Sequence, residues 1–496
     1  MVSFASAASR SLETSPDLQH ELTSAVSLGS LERVRSCLER GANPAISVDE
    51  NSPSAFHYAT EIGNIDVVNS LLEQNLHTFN KKSELRVLFN PQGRTVFQVA
   101  RTQRMANFWA TQCPALLQAP SRDGSTPLMT AVEDENENKV RLLLEGPVIG
   151  MFRRPLAKAA VNAVNAKGFS ALHLACAQNH RTITHLLLSS KADPVMQTQD
   201  RIRHTALGLA CDRGAYSAVS ALTEHIRSTR NPEKVFSKIF MARGPNPLLC
   251  ACRHGHGVVV AHLFNNVHLH LLQPHVHESL LEACNAGHDD VSCVKLLVKR
   301  SIISLDCSDE QEQTPLHLAC SSGSLEIVKW LWKTMSSKRG FRSLEEPCKK
   351  MLAKEMEQQH PVWTRMTRMH RTPLMLAAEN DHVDVCRFIV QEASPSFFTT
   401  DFVNAQHETA LSLACYAGSH RSALLFAYHG ARMHLSTKHS HHNCVDIAQE
   451  CGHGQLADAL QCCLAQNLWN LMHYINEEAP HIWMKRKVQQ AEIGLR

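Results

Sequence analysis

One small residue returns along this chain at a spacing that limits the fold more than any other feature. Ala25, Ala59, Ala100, Ala131, Ala175, Ala210, Ala251, Ala283, Ala319, Ala377, Ala414 and Ala448 fall at steps of 31 to 44 residues, apart from one step of 58 after Ala319. Each closes a short apolar string. TPLHLA (Thr314–Ala319), SALHLA (Ser170–Ala175), TPLMLA (Thr372–Ala377) and TALSLA (Thr409–Ala414) are the clearest, with SAFHYA (Ser54–Ala59) and CVDIA (Cys444–Ala448) as looser forms. A repeat of this period is one supersecondary element that cannot bury its own apolar face; copies of itself must do so. A chain of 496 residues built this way needs no oversized single core.

The best-formed copy, Thr314–Lys333, reads as two short helices. Thr314 suits the cap and Pro315 the first turn, where a missing N–H is harmless. Leu316, Leu318 and Ala319 give the first helix its apolar face, and Gly323 stops it. Leu325, Ile327, Val328, Leu331 and Trp332 then carry an apolar stripe at helical spacing.

Thr-Pro-Leu-His-x-Ala at a period of roughly 33 residues resembles the ankyrin repeat. The resemblance runs over nearly the whole chain, with twelve copies by the alanine markers. It implies an all-α solenoid of stacked helix–turn–helix repeats with short hairpin or loop fingers. The expected organisation is a polar tail over 1–16, repeats one to nine over 17–332, a basic insertion over 333–371, repeats ten to twelve over 372–475, and a tail over 476–496. The third repeat, Gln92–Gln118, has no glycine turn in MANFWATQ and is expected to be irregular. Repeats five to eight are expected to be regular apart from a long link, Arg227–Pro247.

Net charge is only +3, which gives no global pull toward nucleic acid or acidic membrane. No apolar run approaches the roughly 20 residues of a membrane span, and the opening MVSFASAASR has no secretory pattern. A soluble protein of the cytoplasm is expected, with the nucleus open. The 17 cysteines fit a reducing compartment. Cys176, Cys211, Cys252, Cys284, Cys320 and Cys415 all follow a marker alanine, where a small apolar side chain is needed, and are read as reduced core residues. No C-x-x-C pair occurs. Of the histidines, His57, His173 and His317 occupy the opening motif, and His180, His256, His288, His382 and His453 follow the inter-helix turn. Two denser groups, His262 to His277 and His434 to His442 with Cys444, are read as polar loop tips, since no second ligand pair stands at finger-like spacing.

The sequence holds no phosphate-cradling loop, dinucleotide fingerprint, H-E-x-x-H, kinase signature or G-x-S-x-G elbow. No catalytic residue, cofactor or metal is expected, which leaves binding. The family resemblance implies that residues just before each inter-helix turn line a concave groove: here Glu61, Gln178, Asp212, Arg213, Arg253, His254, Asn285, Ser321, Ser322, Glu379, Asn380, Tyr416 and Glu450. They differ from repeat to repeat while their flanks stay constant. The mix of charges with Tyr416 suits a protein or peptide better than a polyanion, so nucleic acid is not the expected partner. The expected function is a non-catalytic scaffold or adaptor; oligomeric state is not legible. The alternatives are the ankyrin portion of a larger assembly, such as a channel or a ubiquitin-ligase substrate receptor, and a nucleic-acid or anionic-lipid binder acting through the insertion and Arg153-Arg154. The insertion itself, with Met351, Leu352 and Met356 at helical spacing, is expected to stand free as a basic arm.

Overall fold

The structure, a computed structural model, describes residues 16–49, 52–75, 89–146, 148–149, 152–153, 158–288, 290–301, 303, 305, 307–336, 365–391, 402–431, 433 and 443–464. The central part of the basic insertion, the histidines from His434 to His442 and both tails lie outside the described residues, as does Arg154. The chain divides into two compact units, Met1–Pro247 and Leu248–Arg496.

Helix pairs follow the alanine markers in both. In the first unit these include Ala55–Ile62 with Ile65–Asn75, Pro127–Glu133 with Glu137–Glu145, and Ala171–Ala177 with Arg181–Ser189. In the second they include Pro315–Ser322 with Leu325–Ser336, Pro373–Glu379 with Val383–Gln391, and Ala410–Ala417 with His420–Tyr428. Within each unit first helices pack on first helices and second helices on second helices, giving two rows. The marker alanines are all buried because they stand where the rows meet and a larger side chain has no room. Two two-residue strands, Val148–Ile149 and Phe152–Arg153, pair antiparallel; the remaining regular structure described is helical.

The local chemistry is that of the opening motif. The Thr314 hydroxyl accepts from the His317 N–H, Pro315 fills the first turn, and Gly323 ends the helix at φ +79°. Thr126, Thr205, Thr372 and Thr409 cap their helices in the same way. Where the stop is not glycine, Asn179 and Asp381 take the left-handed conformation at φ 62° and 55°.

Between repeats the chain forms short fingers, each closed by one backbone bond. Asn90 donates to Arg94, Ser121 to Ser125, Asn165 to Phe169, and Asp309 to Gln313. Successive fingers are hydrogen-bonded in turn: Arg122 N–H to Gly93 O, Ala166 to Asp123, and Gln199 to Gly168.

Three places depart from the regular pattern. In the third repeat the first helix is only Val96–Val99, and Gln103–Gln112 runs on into a 3₁₀ turn at Pro114–Gln118. Lys139 reaches over from the second helix of the fourth repeat. It is 1% exposed, donates to Gln98 O at 2.8 Å and Ala100 O at 3.0 Å, and lies 5.2 Å from the Phe97 ring centre. Burial holds its ammonium down at about 8. The truncated helix thus has its last carbonyls capped by a neighbour's cation. The second departure is the link Arg227–Pro247, which contains a helix of its own, Pro232–Phe240, burying Phe236, Ile239 and Phe240. The third corrects the expected regularity of repeats five to eight. Leu269–Leu272 and a 3₁₀ turn at Gln273–His275 run directly into Val276–Asn285, because no Thr-Pro stop precedes that helix and its cap position is itself helical.

The six cysteines of the constant position are fully buried, and none forms a disulfide. Burial pushes the Cys176 thiol up to about 12 and raises those of Cys284 and Cys320. Cys415 is raised too, first through its contact with the Cys444 thiol and then through burial. Since the thiolate is the reactive form, these residues should resist maleimide in the folded protein and react on denaturation. Rapid labelling of any of the six under native conditions, read by peptide mass mapping, would contradict their placement in the core.

Candidate partner-binding site

In each repeat the first helix ends beside its buried cysteine or alanine, and the next one or two residues emerge from the packing. Gln178, Arg213, Arg253, His254, Asn285, Asn380, Tyr416 and Glu450 are exposed there, and Glu61, Asp212, Ser321, Ser322 and Glu379 are half-buried. The structure therefore sets these residues in a file along the first-helix ends of each unit, not in a single pocket. A file with one or two variable side chains per repeat can meet an extended or folded partner at many points.

Several of these side chains also join neighbouring repeats. Glu61 pairs with Arg101, and Gln178 Nε2 donates to Glu133 O at 3.4 Å. Arg253 Nε lies 2.7 Å from Glu282, and the Ser322 hydroxyl donates to Cys284 O at 2.9 Å. Asn380 Nδ2 donates to Ser321 Oγ at 3.2 Å, and Arg371 bonds Glu408 while standing 3.6 Å from Glu379. Exposed pairs of this kind contribute about 0–1 kcal/mol each, so a partner can compete for them at little expense. Tyr416 is the most prominent member, 68% exposed. An amphipathic ring held on a rigid helix end is a low-entropy anchor.

Sequence reasoning missed two kinds of residue. Tyr216 and Val258, exposed at the start of second helices, lie just across the turn from Arg213 and His254. The positions that the family resemblance implies stop before the turn, and these two residues lie after it. The turn histidines also do more than fill a polar position. His382 Nε2–H donates back to Ser321 O at 2.9 Å, and His288 Nε2–H to Arg253 O at 2.8 Å. Their rings lie on the preceding turn glycine: a Cβ on Gly323 would meet His382 at 2.4 Å, and one on Gly418 would meet His453 at 2.5 Å. Glycine is needed at both places for the positive φ and for this close approach.

The opening histidines reach the other way. His173 Nε2–H donates to Met196 O at 3.1 Å and His317 Nε2–H to Arg365 O at 2.9 Å, each in the following finger. Their Nδ1 atoms accept from the backbone N–H of Ser170 and Thr314. Burial is the main cause that lowers both rings to about 4, so they are neutral in the native protein. Among the described residues no group of three or more His, Cys, Asp or Glu side chains is arranged to hold a metal ion; this includes the segment from His262 to His277, where the His268 and His270 rings stack. No described helix is long and apolar enough to cross a membrane.

Comparison with known proteins agrees with this geometry. A family model described as "Ankyrin repeats (3 copies)" matches residues 100–198, 248–339 and 343–437, more than half of the chain, and one described as "Ankyrin repeats (many copies)" matches 22–72. Similar curated proteins include neurogenic locus notch homolog protein 1 of Xenopus tropicalis, 29% identical over 172 residues, or 34% of this chain. Neurogenic locus notch homolog protein 2 of Homo sapiens is 30% identical over 162 residues, or 32% of this chain. In both cases the match spans only 6% of the relative's length.

Proposed function

Because the chain belongs to the ankyrin-repeat family, whose repeats are a protein-interaction module, we propose that it is a non-catalytic scaffold or adaptor of the cytoplasm. It binds a protein or peptide along the concave file of first-helix ends. The observation that carries this reading is the contrast within the repeats: a buried marker alanine, followed in six of the twelve by a buried cysteine, stands close to exposed residues as different as Gln178, Arg213, Asn285 and Tyr416. A face that served only stacking would repeat its surface residues as faithfully as its core. Mixed charge and the aromatic favour a protein over nucleic acid.

The reading is tested by crosslinking pull-down from cells with the chain and a Tyr416→Ala, Arg213→Glu variant. Both changes lie on the surface and should shift stability by no more than about 0.5 kcal/mol, yet the partner captured by the parent chain should be lost. Retention of every partner by a variant of unchanged Tm would overturn it. A second reading, the ankyrin portion of a larger assembly, takes its support from the Notch comparisons, where the matching stretch is a small part of a long chain. Migration of the native protein at the mass of the chain alone on gel filtration of an extract would count against that version.

A further inference from the structure

One described finger is longer than those closed over four residues. The closing bond usually joins residues four apart, as in Asn165 to Phe169, Thr367 to Arg371 and Asn404 to Glu408. In the finger before the sixth repeat it joins Thr198 to His204, so two extra residues are pushed outward. The tip is Arg201-Ile202-Arg203, all exposed, with Ile202 54% accessible. Asp200 is turned inward, accepting from the Thr198 hydroxyl and the Arg203 N–H. The tip also lacks the usual onward neighbour. In place of another finger, the loop that follows the helix Pro232–Phe240 lies on it: a Cβ on Gly244 would stand 1.9 Å from Arg203 O. That loop adds Arg243, exposed, and Met241, 62% accessible.

Charge separates this edge from several of the other fingers. Arg94 is paired with Asp134, Arg368 lies 3.9 Å from Glu312, and Arg371 is held by Glu408. No carboxylate pairs with the side chains of Arg201, Arg203 or Arg243 among the described residues. Two apolar side chains therefore stand in water among three unneutralised guanidiniums, on an edge fixed by close backbone packing. Guanidinium forks match carboxylates in bidentate pairs, and Ile202 and Met241 offer a contact for an aliphatic side chain. Arg201, Ile202, Arg203, Met241 and Arg243 include no aromatic ring on which a base could stack, which disfavours a single-stranded nucleic acid.

We propose that Arg201, Ile202, Arg203, Met241 and Arg243 form a second docking surface, for an acidic protein segment that carries aliphatic residues between its carboxylates. This surface is separate from the file of first-helix ends and does not depend on the function proposed for it.

The test is fluorescence anisotropy with the full chain and a short labelled peptide of alternating Glu and Leu. The Arg201→Glu, Arg243→Glu variant should weaken binding by about tenfold or more, and raising salt from about 50 to about 300 mM should weaken it for the parent chain. Ile202→Ser should weaken it in a salt-insensitive manner. Tyr416→Ala should leave it unchanged, so failure of this surface and failure of the first-helix file are read separately. Equal affinity of the charge-reversed variant with an unchanged Tm would overturn the proposal. So would preferential capture of phosphatidylserine vesicles or an oligonucleotide over the peptide in direct competition.

Discussion

Replacing Trp109 by alanine is expected to destabilise the amino-terminal unit by about 3–5 kcal/mol, the range for removing a large buried aromatic side chain. Trp109 is fully buried in the second helix of the third repeat. Its indole N–H donates to the Thr60 hydroxyl at 3.0 Å, and its ring meets Phe56 edge-on at 6.4 Å and Phe108 at 5.7 Å. The first helix of that repeat has only four residues, of which Val96, Phe97 and Gln98 are buried, and the Trp109 ring adds to their packing against the second repeat. The deletion leaves a cavity and an unpaired Thr60 hydroxyl together. Urea titration followed by circular dichroism would measure the loss. Trp109→Phe keeps most of the volume and should recover roughly half of it. A loss below about 1 kcal/mol for the alanine variant would mean that the third repeat is not packed as described.

The second large effect is with pH. His173 and His317 have native values near 4, against about 6.5 for an unstructured histidine. Above pH 6.5 both states are neutral, and the stability of the buried arrangement is fully present. As pH falls from about 6.5 toward 4 the unfolded chain takes up protons that the native sites refuse, and stability declines; below 4 these two groups add no further loss. The decline should reach about 3 kcal/mol for each histidine. His317→Gln should be less stable than the parent chain at pH 7.5, through the lost bonds to Thr314 and Arg365, yet show a shallower loss between pH 6.5 and 4.5. Equal slopes for the two proteins would assign the acid sensitivity to other groups.

These cases mark what a sequence of this kind discloses. The alanine period, the Thr-Pro openings, the left-handed Asn179 and Asp381 and the buried cysteines were all readable, because each depends on residues a few positions apart. The shortness of the helix Val96–Val99 was foreshadowed by the missing glycine turn, but its remedy was not. Lys139 comes from the next repeat, and a lysine amid Glu137, Asn138 and Arg141 looks like solvent-facing charge. Pro232–Phe240 carries Phe236, Ile239 and Phe240 at helical spacing and is legible in principle, but no marker alanine accompanies it, so the repeat period gives no sign of it. The file of variable residues follows from the family resemblance together with the contrast between those positions and their constant flanks. Its division between inter-repeat bonding and free surface needed the positions of neighbouring repeats. The long finger at Thr198–His204 escaped notice because two additional polar turn residues do not disturb the repeat phase.

The ninth and tenth repeats are sewn together from both sides. His317 reaches forward to Arg365, His382 reaches back to Ser321, and the Arg368 N–H bonds Gln311 O at 2.9 Å. All three bonds bridge the stretch between Ser336 and Arg365, and none of them uses it. Wherever the chain travels between those two residues, it leaves and rejoins at a seam already closed. Doubling the length of such an excursion adds only about 0.6 kcal/mol of closure entropy. A chain in which residues 337–364 are exchanged for a short flexible linker is therefore expected to keep the register of the repeats on either side, and a Tm lowered by several degrees would show that the excursion helps to hold the seam.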